Sequence, residues 1–510
     1  MSKVRNKTAR SPLFRLVGGS MLALALVLPT ACGGSSLSPK AVRAANEALA
    51  GETTNGAPAA DGSGVTGDTG GTTTTGDTGS TGTGSTGGTG SGTGTGSGAS
   101  GGGGSTGKGG GGGSTSTGGG GGSSAGTSGV KAGSCAGFKN TTGITDSTIT
   151  IGNASDISGP VPGIFTSAQQ AVKAYIQYFN ATTSICGRKL ALSTQDSRTD
   201  AAADQQAYQS LCSSSFAAVG SMSAFDSGGA ATAQSCGLPD IRTATTTNQR
   251  AACTTCFAAQ GSNAAYYENA PATYFVKHMK AASQHAAILY LDAGGAAQNA
   301  ETMRSVFTKA GEKIPDSVFR GIGVTEFNYG PYVQAMKSAG TRIVYFIGPY
   351  QDSIRLQQAM QQASFKPDAF VQDPTIYDAD YVKQVGSAAV NTYVYLNFVP
   401  FEEASSNREM STYLKYLQQV APGANPTFYG AWAWSATALF VREAIQLGGK
   451  LTRANLVAAL RKVNNWNTGG MTAPQNVGGK INGPCWGFVR LVNGKWKKVA
   501  GYQCDGVGKA

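Results

Sequence analysis

Histidine is nearly absent: His278 and His285 are the two in 510 residues. A Ser-His-Asp triad needs one of them. His278 lies in a helical stretch beside Lys277 and Lys280, and His285 just precedes a strand, so neither shares a motif with a nucleophile. There is no P-loop and no nucleophile elbow in a strand–turn–helix context. Catalysis is therefore not expected, and no cofactor motif is present. Aromatics are missing altogether from Gly33 to Gly137. Such a segment buries too little apolar area to offset its ordering entropy. Acidic residues are also few, 28 against 40 Lys and Arg, for a net charge of +12. The basic residues are scattered without a run, so nucleic acid is not an expected partner.

Where the aromatics are missing, Gly, Ser, Thr and Asp make up almost all of Gly62 to Gly129. Gly/Ser-rich chain behaves as a flexible coil, and about 95 residues of it span roughly 50–60 Å r.m.s.. The stretch 32–134 reads as a disordered tether, with a short helix conceivable at Ala41 to Ala50. A cell-wall stalk would use the same composition.

Ahead of the tether stand Lys3, Arg5, Lys7, Arg10 and Arg15 with no acid, then the apolar run Leu16 to Val27, then Leu28-Pro29-Thr30-Ala31-Cys32-Gly33. A charged start, a short apolar stretch and small residues before a cleavage point describe a secretory signal over 1–31. Cysteine at the first mature position resembles a bacterial lipobox, with Pro29 where Leu is usual. Acylation of Cys32 would anchor the protein by lipid on the extracytoplasmic face of the cell membrane. Loss of the five basic residues with the signal leaves +7.

Beyond Cys32 there are eight Cys: 135, 186, 212, 236, 253, 256, 485 and 504. An even count in an exported chain favours disulfides. Zinc is the alternative, prompted by Cys253-Thr-Thr-Cys256. Neither His lies at ligand spacing from that pair, so no metal is expected. Cys135 and Cys186 both precede strands on one edge. Cys212 and Cys236 also precede strands, at the end away from a cleft. The expected pairs are 135–186, 212–236, 253–256 and 485–504, the third being short for disulfide geometry.

From Cys135 to Ala510 strand and helix signals alternate. Thr148 to Gly152 reads as a strand. Ala168, Ala171, Val172, Tyr175, Ile176 and Phe179 form a stripe of helical period, with a capping-box start at Ser167 and Gln170. Strands follow at 189–192, 216–220, 240–242, 286–291, 318–324, 342–348, 369–372 and 392–399. Helices lie between them and at 406–420, 428–447 and 452–464. A hairpin closes around Asn493-Gly494. Repeated strand–helix units imply parallel sheets with helices on both faces. The expected fold is α/β, two doubly wound lobes with a hinge and a central ligand cleft.

The strand Ile149-Thr-Ile-Gly152 with Asp156-Ile-Ser-Gly-Pro160, then Tyr178-Phe-Asn180, Ile185 to Leu190, Gln195-Asp196, Ala218 to Ser221 and Gly237-Leu-Pro239 resemble the leucine/isoleucine/valine-binding protein family. These are substrate-binding subunits of ABC importers with a type I periplasmic-binding-protein fold. The resemblance runs from about Ile144 to the C-terminus. It implies lobe 1 at about 140–272 and 399–475, lobe 2 at about 273–398 and 476–510, and hinge closure on a ligand. It implies a monomer that hands a small polar solute, an amino acid or related compound, to ABC permease subunits. A tethered sensor and a structural wall protein are the alternatives.

For the site, the resemblance implies a loop after the third strand whose donors hold a ligand carboxylate, here Ser223 and Ala224. It implies an Ala-x-Thr step at Ala244 and Thr246. From lobe 2 it implies an aromatic lid, Tyr350, and an acid, Asp373. Ser and Thr at such places also cap helices, and a lone Asp also makes a solvated turn. The loop after Asp292 reads Ala-Gly-Gly-Ala-Ala where the family commonly presents Tyr. That difference is expected to widen or reshape the pocket and argues against a branched-chain amino acid. Trp432 and Trp434 read as core, and Tyr429 stands where it could approach the hinge.

Overall fold

The computed structural model describes residues 130–510. The signal-like start, Cys32 and Ala41 to Ala50 lie outside the described residues.

In the first half, the elements are β1 (Thr148–Ser155), α1 (Thr166–Thr182), β2 (Lys189–Asp196), α2 (Ala201–Ser214), β3 (Ala217–Val219), α3 (Ala230–Ser235), β4 (Asp240–Arg242), α4 (Asn248–Ala252) and β5 (Cys256–Ala258). Next come β6 (Tyr266–Glu268), α5 (Ala270–His278), α6 (Lys280–Ser283), β7 (Ala286–Leu291), α7 (Ala296–Lys309), β8 (Phe319–Ile322), α8 (Gly330–Ser338), β9 (Ile343–Ile347), α9 (Tyr350–Gln362), β10 (Ala369–Gln372), α10 (Ala379–Val385) and β11 (Thr392–Leu396). The chain ends with α11 (Arg408–Val420), α12 (Phe428–Leu447), α13 (Arg453–Leu460), β12 (Trp486–Val492), β13 (Lys495–Gln503) and β14 (Val507–Lys509).

Two sheets result. The first has the order β2-β1-β3-β4-β5 and is parallel throughout. In the second, β8-β7-β9-β10-β11 are parallel, and the antiparallel β12 and β13 extend it past β11. Both parallel runs share one plan: the first strand lies inside, and the order reverses beside it. The reversals fall between β1 and β3 and between β7 and β9. Ligands of open α/β sheets bind at such points, outside the carboxyl ends of the strands.

Local sequence explains the elements. Ile149 and Ile151 of β1 are fully buried, as are Ala168, Val172, Tyr175 and Phe179 on the stripe of α1. That stripe packs on α12, with the Tyr175 and Trp434 rings 4.6 Å apart. Helix α12 is buried nearly all round, and Trp432 and Trp434 are core. The capping box at Ser167 does not form. Helix α1 begins at Thr166 with no side-chain cap, because Phe165 and Ala168 are already tied by backbone bonds to Asp156 and Phe165. Ser167 instead accepts a hydrogen bond from Thr427, the cap of α12. At the hairpin, Asn493 and Gly494 both have positive φ, 52° and 71°, as a two-residue primed turn requires.

Four disulfides join Cys135–Cys186, Cys212–Cys236, Cys253–Cys256 and Cys485–Cys504, the pairs expected from the sequence. Three segments cross between the lobes and are bonded to one another. Ala473 N–H donates to Asn397 O at 2.8 Å and Val399 N–H to Met471 O at 2.8 Å. Gly261 N–H donates to Gln475 Oε1 at 3.0 Å, and Asn263 N–H to Asn482 Oδ1 at 2.8 Å. The apolar core of the second lobe takes in Tyr267, Ala270 and Ala272, so it begins ahead of residue 273. Among the described residues, no helix is long and apolar enough to cross a membrane.

Candidate functional site

The carboxyl ends of β1, β3 and β4 carry three loops that meet. Thr246 donates its hydroxyl to the Ser223 carbonyl at 2.9 Å, which joins the loops after β3 and β4. Asp156, just past the end of β1, is fully buried. Its carboxylate accepts from Ala224 N–H at 2.8 Å and from the Ser197 hydroxyl at 2.6 Å. Burial pushes the Asp156 carboxyl up, against the hydrogen bonds from Ser197, Ala224, Thr199 and Ser223. Asp226, also fully buried, accepts from Thr246 N–H at 2.9 Å, Thr247 N–H at 3.1 Å and the Thr247 hydroxyl at 2.6 Å.

These contacts change the reading of the expected donors. The structure brings Ser223, Ala224 and Thr246 together at the reversal point. It also gives each a protein acceptor: Asp156 for Ser223 and Ala224, and Asp226 and the Ser223 carbonyl for Thr246. Ala244 is buried in the core, and its carbonyl accepts from Arg242 Nε at 3.2 Å.

The second lobe meets these loops through Gly294 and Gly295. A Cβ on Gly294 would lie 2.7 Å from the Ala224 carbonyl oxygen, and one on Gly295 would lie 2.4 Å from that of Thr246. The Ala-Gly-Gly-Ala-Ala loop therefore does not widen the cleft here. With no Cβ in the way, backbone approaches backbone and the gap narrows.

Asp373 and Tyr350 contact other partners. Asp373 caps the short 3-10 turn 374–376, accepting from Thr375 N–H at 2.9 Å. Burial raises its carboxyl, and its charge is felt at Tyr429 of the first lobe. Thr375 Oγ1 and the Tyr429 hydroxyl lie 3.1 Å apart, a hydrogen bond between the lobes. Tyr429 also stands edge-on to Phe165, with centroids 4.6 Å apart. The Tyr350 hydroxyl turns to Gln384 within its own lobe, near Asp378 and Asp380. Of these, the roles of Asp226 and Thr375 escaped the sequence reading, and the glycine pair was read there as widening or reshaping the pocket. Asp156 was legible only as part of a motif, since nothing local tells which loop its carboxylate reaches.

Behind the loops lies a buried ionic network. Arg250 reaches Asp204 at 2.8 Å and Asp240 at 2.9 Å, and Arg242 reaches Asp226 and Asp240 at 3.5 Å each. Tyr208 donates to Asp240 at 2.9 Å. All six side chains are fully buried. The network roots the Asp226 loop in the lobe, which holds the donors in place. A cavity of about 670 Å³ opens elsewhere, on the outer face of lobe 1 between Arg442, Lys450, Asn455 and Lys462. None of the loop residues named above lines it, and it is no part of this site. Among the described residues, no group of three or more His, Cys, Asp and Glu could hold a metal ion.

Comparison with known proteins agrees with this architecture. The profile of the periplasmic binding protein family matches residues 148–495. No curated protein matches the sequence. The fold resembles that of a fatty acid ABC transporter substrate-binding protein from Thermomonospora curvata, at 15% identity and a TM-score of 0.61, covering 72% of this chain and 95% of that one. It resembles a branched-chain amino acid transporter substrate-binding protein of Streptococcus pneumoniae in complex with isoleucine, at 16% identity and a TM-score of 0.58, covering 70% and 100%. It also resembles an R. palustris ABC transporter solute-binding protein in complex with 4-hydroxybenzoate, at 15% identity and a TM-score of 0.58, covering 70% and 98%. The chain belongs to the periplasmic binding protein family, with the two-lobed type I fold of its leucine/isoleucine/valine-binding members.

Proposed function

We propose that this protein captures a small polar solute between its two lobes outside the cytoplasm and delivers it to the permease subunits of an ABC importer. It is held to the membrane by lipid on Cys32 and works at the end of its Gly/Ser/Thr-rich tether. The observation that carries the reading is the pair of facing reversal points. The loops after β3 and β4 stand against the loop after β7, and three bonded crossovers serve as the hinge. Such an arrangement can trade an open form for a closed one, the ligand supplying the free energy that favours closure.

The test is a thermal-shift screen of amino acids, amides, amines, polyols, short-chain acids and ureas on the purified chain. A solute that raises the midpoint, and whose uptake by cells ceases when the neighbouring permease genes are deleted, supports transport. A solute that binds but enters cells unchanged in that deletion favours a sensor. Absence of any ligand across the panel favours a wall protein. For the anchor, Cys32→Ala is expected to release the protein into the medium. Unchanged membrane partitioning of that variant rules the anchor out.

A further inference from the structure

We propose that the cleft selects a neutral or cationic solute that offers hydrogen-bond donors and carries no carboxylate or phosphate. This deepens the solute-binding reading and rests on it.

Backbone N–H groups and hydroxyls gathered at the ends of parallel strands make an anion site when they are free. In this chain those of Ala224, Thr246 and Thr247 are taken. Asp156 accepts from Ala224 N–H and Ser197 Oγ at 2.8 and 2.6 Å. Asp226 accepts from Thr246 N–H, Thr247 N–H and Thr247 Oγ1 at 2.9, 3.1 and 2.6 Å. The chain has thus supplied its own two carboxylates where a ligand anion would sit, and both are fully buried. An anionic ligand beside them would meet like charge in a medium of lowered dielectric, which disfavours the ligand's charged form. Arg242 does not reverse the sign, since it pairs with Asp226 and Asp240 at 3.5 Å each.

The outward face has the same polarity. With their N–H groups turned inward, Ala224 and Thr246 present carbonyl oxygens to Gly294 and Gly295 of the other lobe. Carbonyls accept; they do not donate. Asp373, from the second lobe, is itself an acceptor that takes the Thr375 N–H at 2.9 Å, beside the Thr375–Tyr429 contact. A solute held here must bring the donors itself.

The experiment deletes the internal carboxylate and offers it back. Purified full-length wild type and Asp156→Ala are titrated with formate, with chloride as the control anion. Formate is expected to bind the variant roughly 10- to 100-fold more tightly than the wild type, the range of one hydrogen bond to a charged group. Equal responses in the two proteins overturn the proposal. Should the alanine variant not fold, Asp156→Ser, which keeps one acceptor and leaves room for formate, is read the same way. In a second arm the wild type receives matched pairs: isoleucine and isoleucinamide, 4-hydroxybenzoate and 4-hydroxybenzamide, acetate and acetamide. An acid that binds as tightly as its amide also overturns the proposal. If no member of any pair binds, solute binding itself is in question on that panel, while the formate arm still decides the occupancy of the subsite.

Discussion

Gly295 of the second lobe lies so close to Thr246 of the first that a Cβ would fall 2.4 Å from the threonine's carbonyl oxygen. Its backbone, at φ −80°, is one that any residue adopts, so the glycine is required by the neighbour and not by its own conformation. Gly295→Ala is expected to hold the lobes apart without unfolding either. Small-angle X-ray scattering reads this as a larger radius of gyration for the variant. Identical profiles for the two proteins would show that the contact yields without lobe movement.

Tyr429 and Thr375 give a second handle on closure. A double-mutant cycle with Tyr429→Phe and Thr375→Val isolates their 3.1 Å bond. The expected coupling in unfolding free energy is about 0.5–1.5 kcal/mol. Strict additivity would mean that the bond is absent in solution.

Arg250 is the best-connected cation of the buried network. It bonds Asp204 and Asp240 and lies over the Tyr208 ring at 4.3 Å. Removing one partner of a buried pair leaves uncompensated charge and costs about 3–5 kcal/mol. Arg250→Ala is expected to lower stability by that order in chemical denaturation. A loss under about 1 kcal/mol would place the network's strength elsewhere.

Glu312 supplies a pH test. Burial pushes its carboxyl up to about 8, against the hydrogen bond from Tyr345. The folded state therefore holds a proton that the unfolded state releases near its ordinary value of 4.5. The favourable contribution is complete below that value, and is lost as pH rises from 4.5 through about 8. Glu268, raised to about 7 by burial, and Asp204, raised to about 6 by burial, slope the same way. The difference between wild type and Glu312→Gln isolates one group. The variant is expected to gain on the wild type as pH rises, by an order of a few kcal/mol at pH 9. Parallel stability profiles for the two proteins would refute this.

Much of the frame was legible. Ile149 and Ile151 alternate in β1, the stripe of α1 repeats with helical period, and Asn493-Gly494 marks its turn, because each signal lies within a few residues. β5 was not legible. It is three residues long, Cys256–Ala258, follows directly on the Cys253-Thr-Thr-Cys256 turn, and is held as a strand by its parallel register with β4. The Ser167 capping box failed for a related reason. A residue that could cap its own helix was claimed by Thr427, 260 positions away.

What the sequence determined by itself is the alternation of strand and helix that demands two parallel sheets, an even set of cysteines beyond Cys32 and a long stretch with nothing to bury. All three depend on composition and short-range spacing, and those act before the chain has folded. The polarity of the cleft was decided by tertiary structure alone. The N–H of Ala224 could serve a ligand or a side chain, and Asp156, 68 residues earlier, takes it. Which acceptor a donor meets depends on strands brought side by side across the sheet, and no local pattern records that.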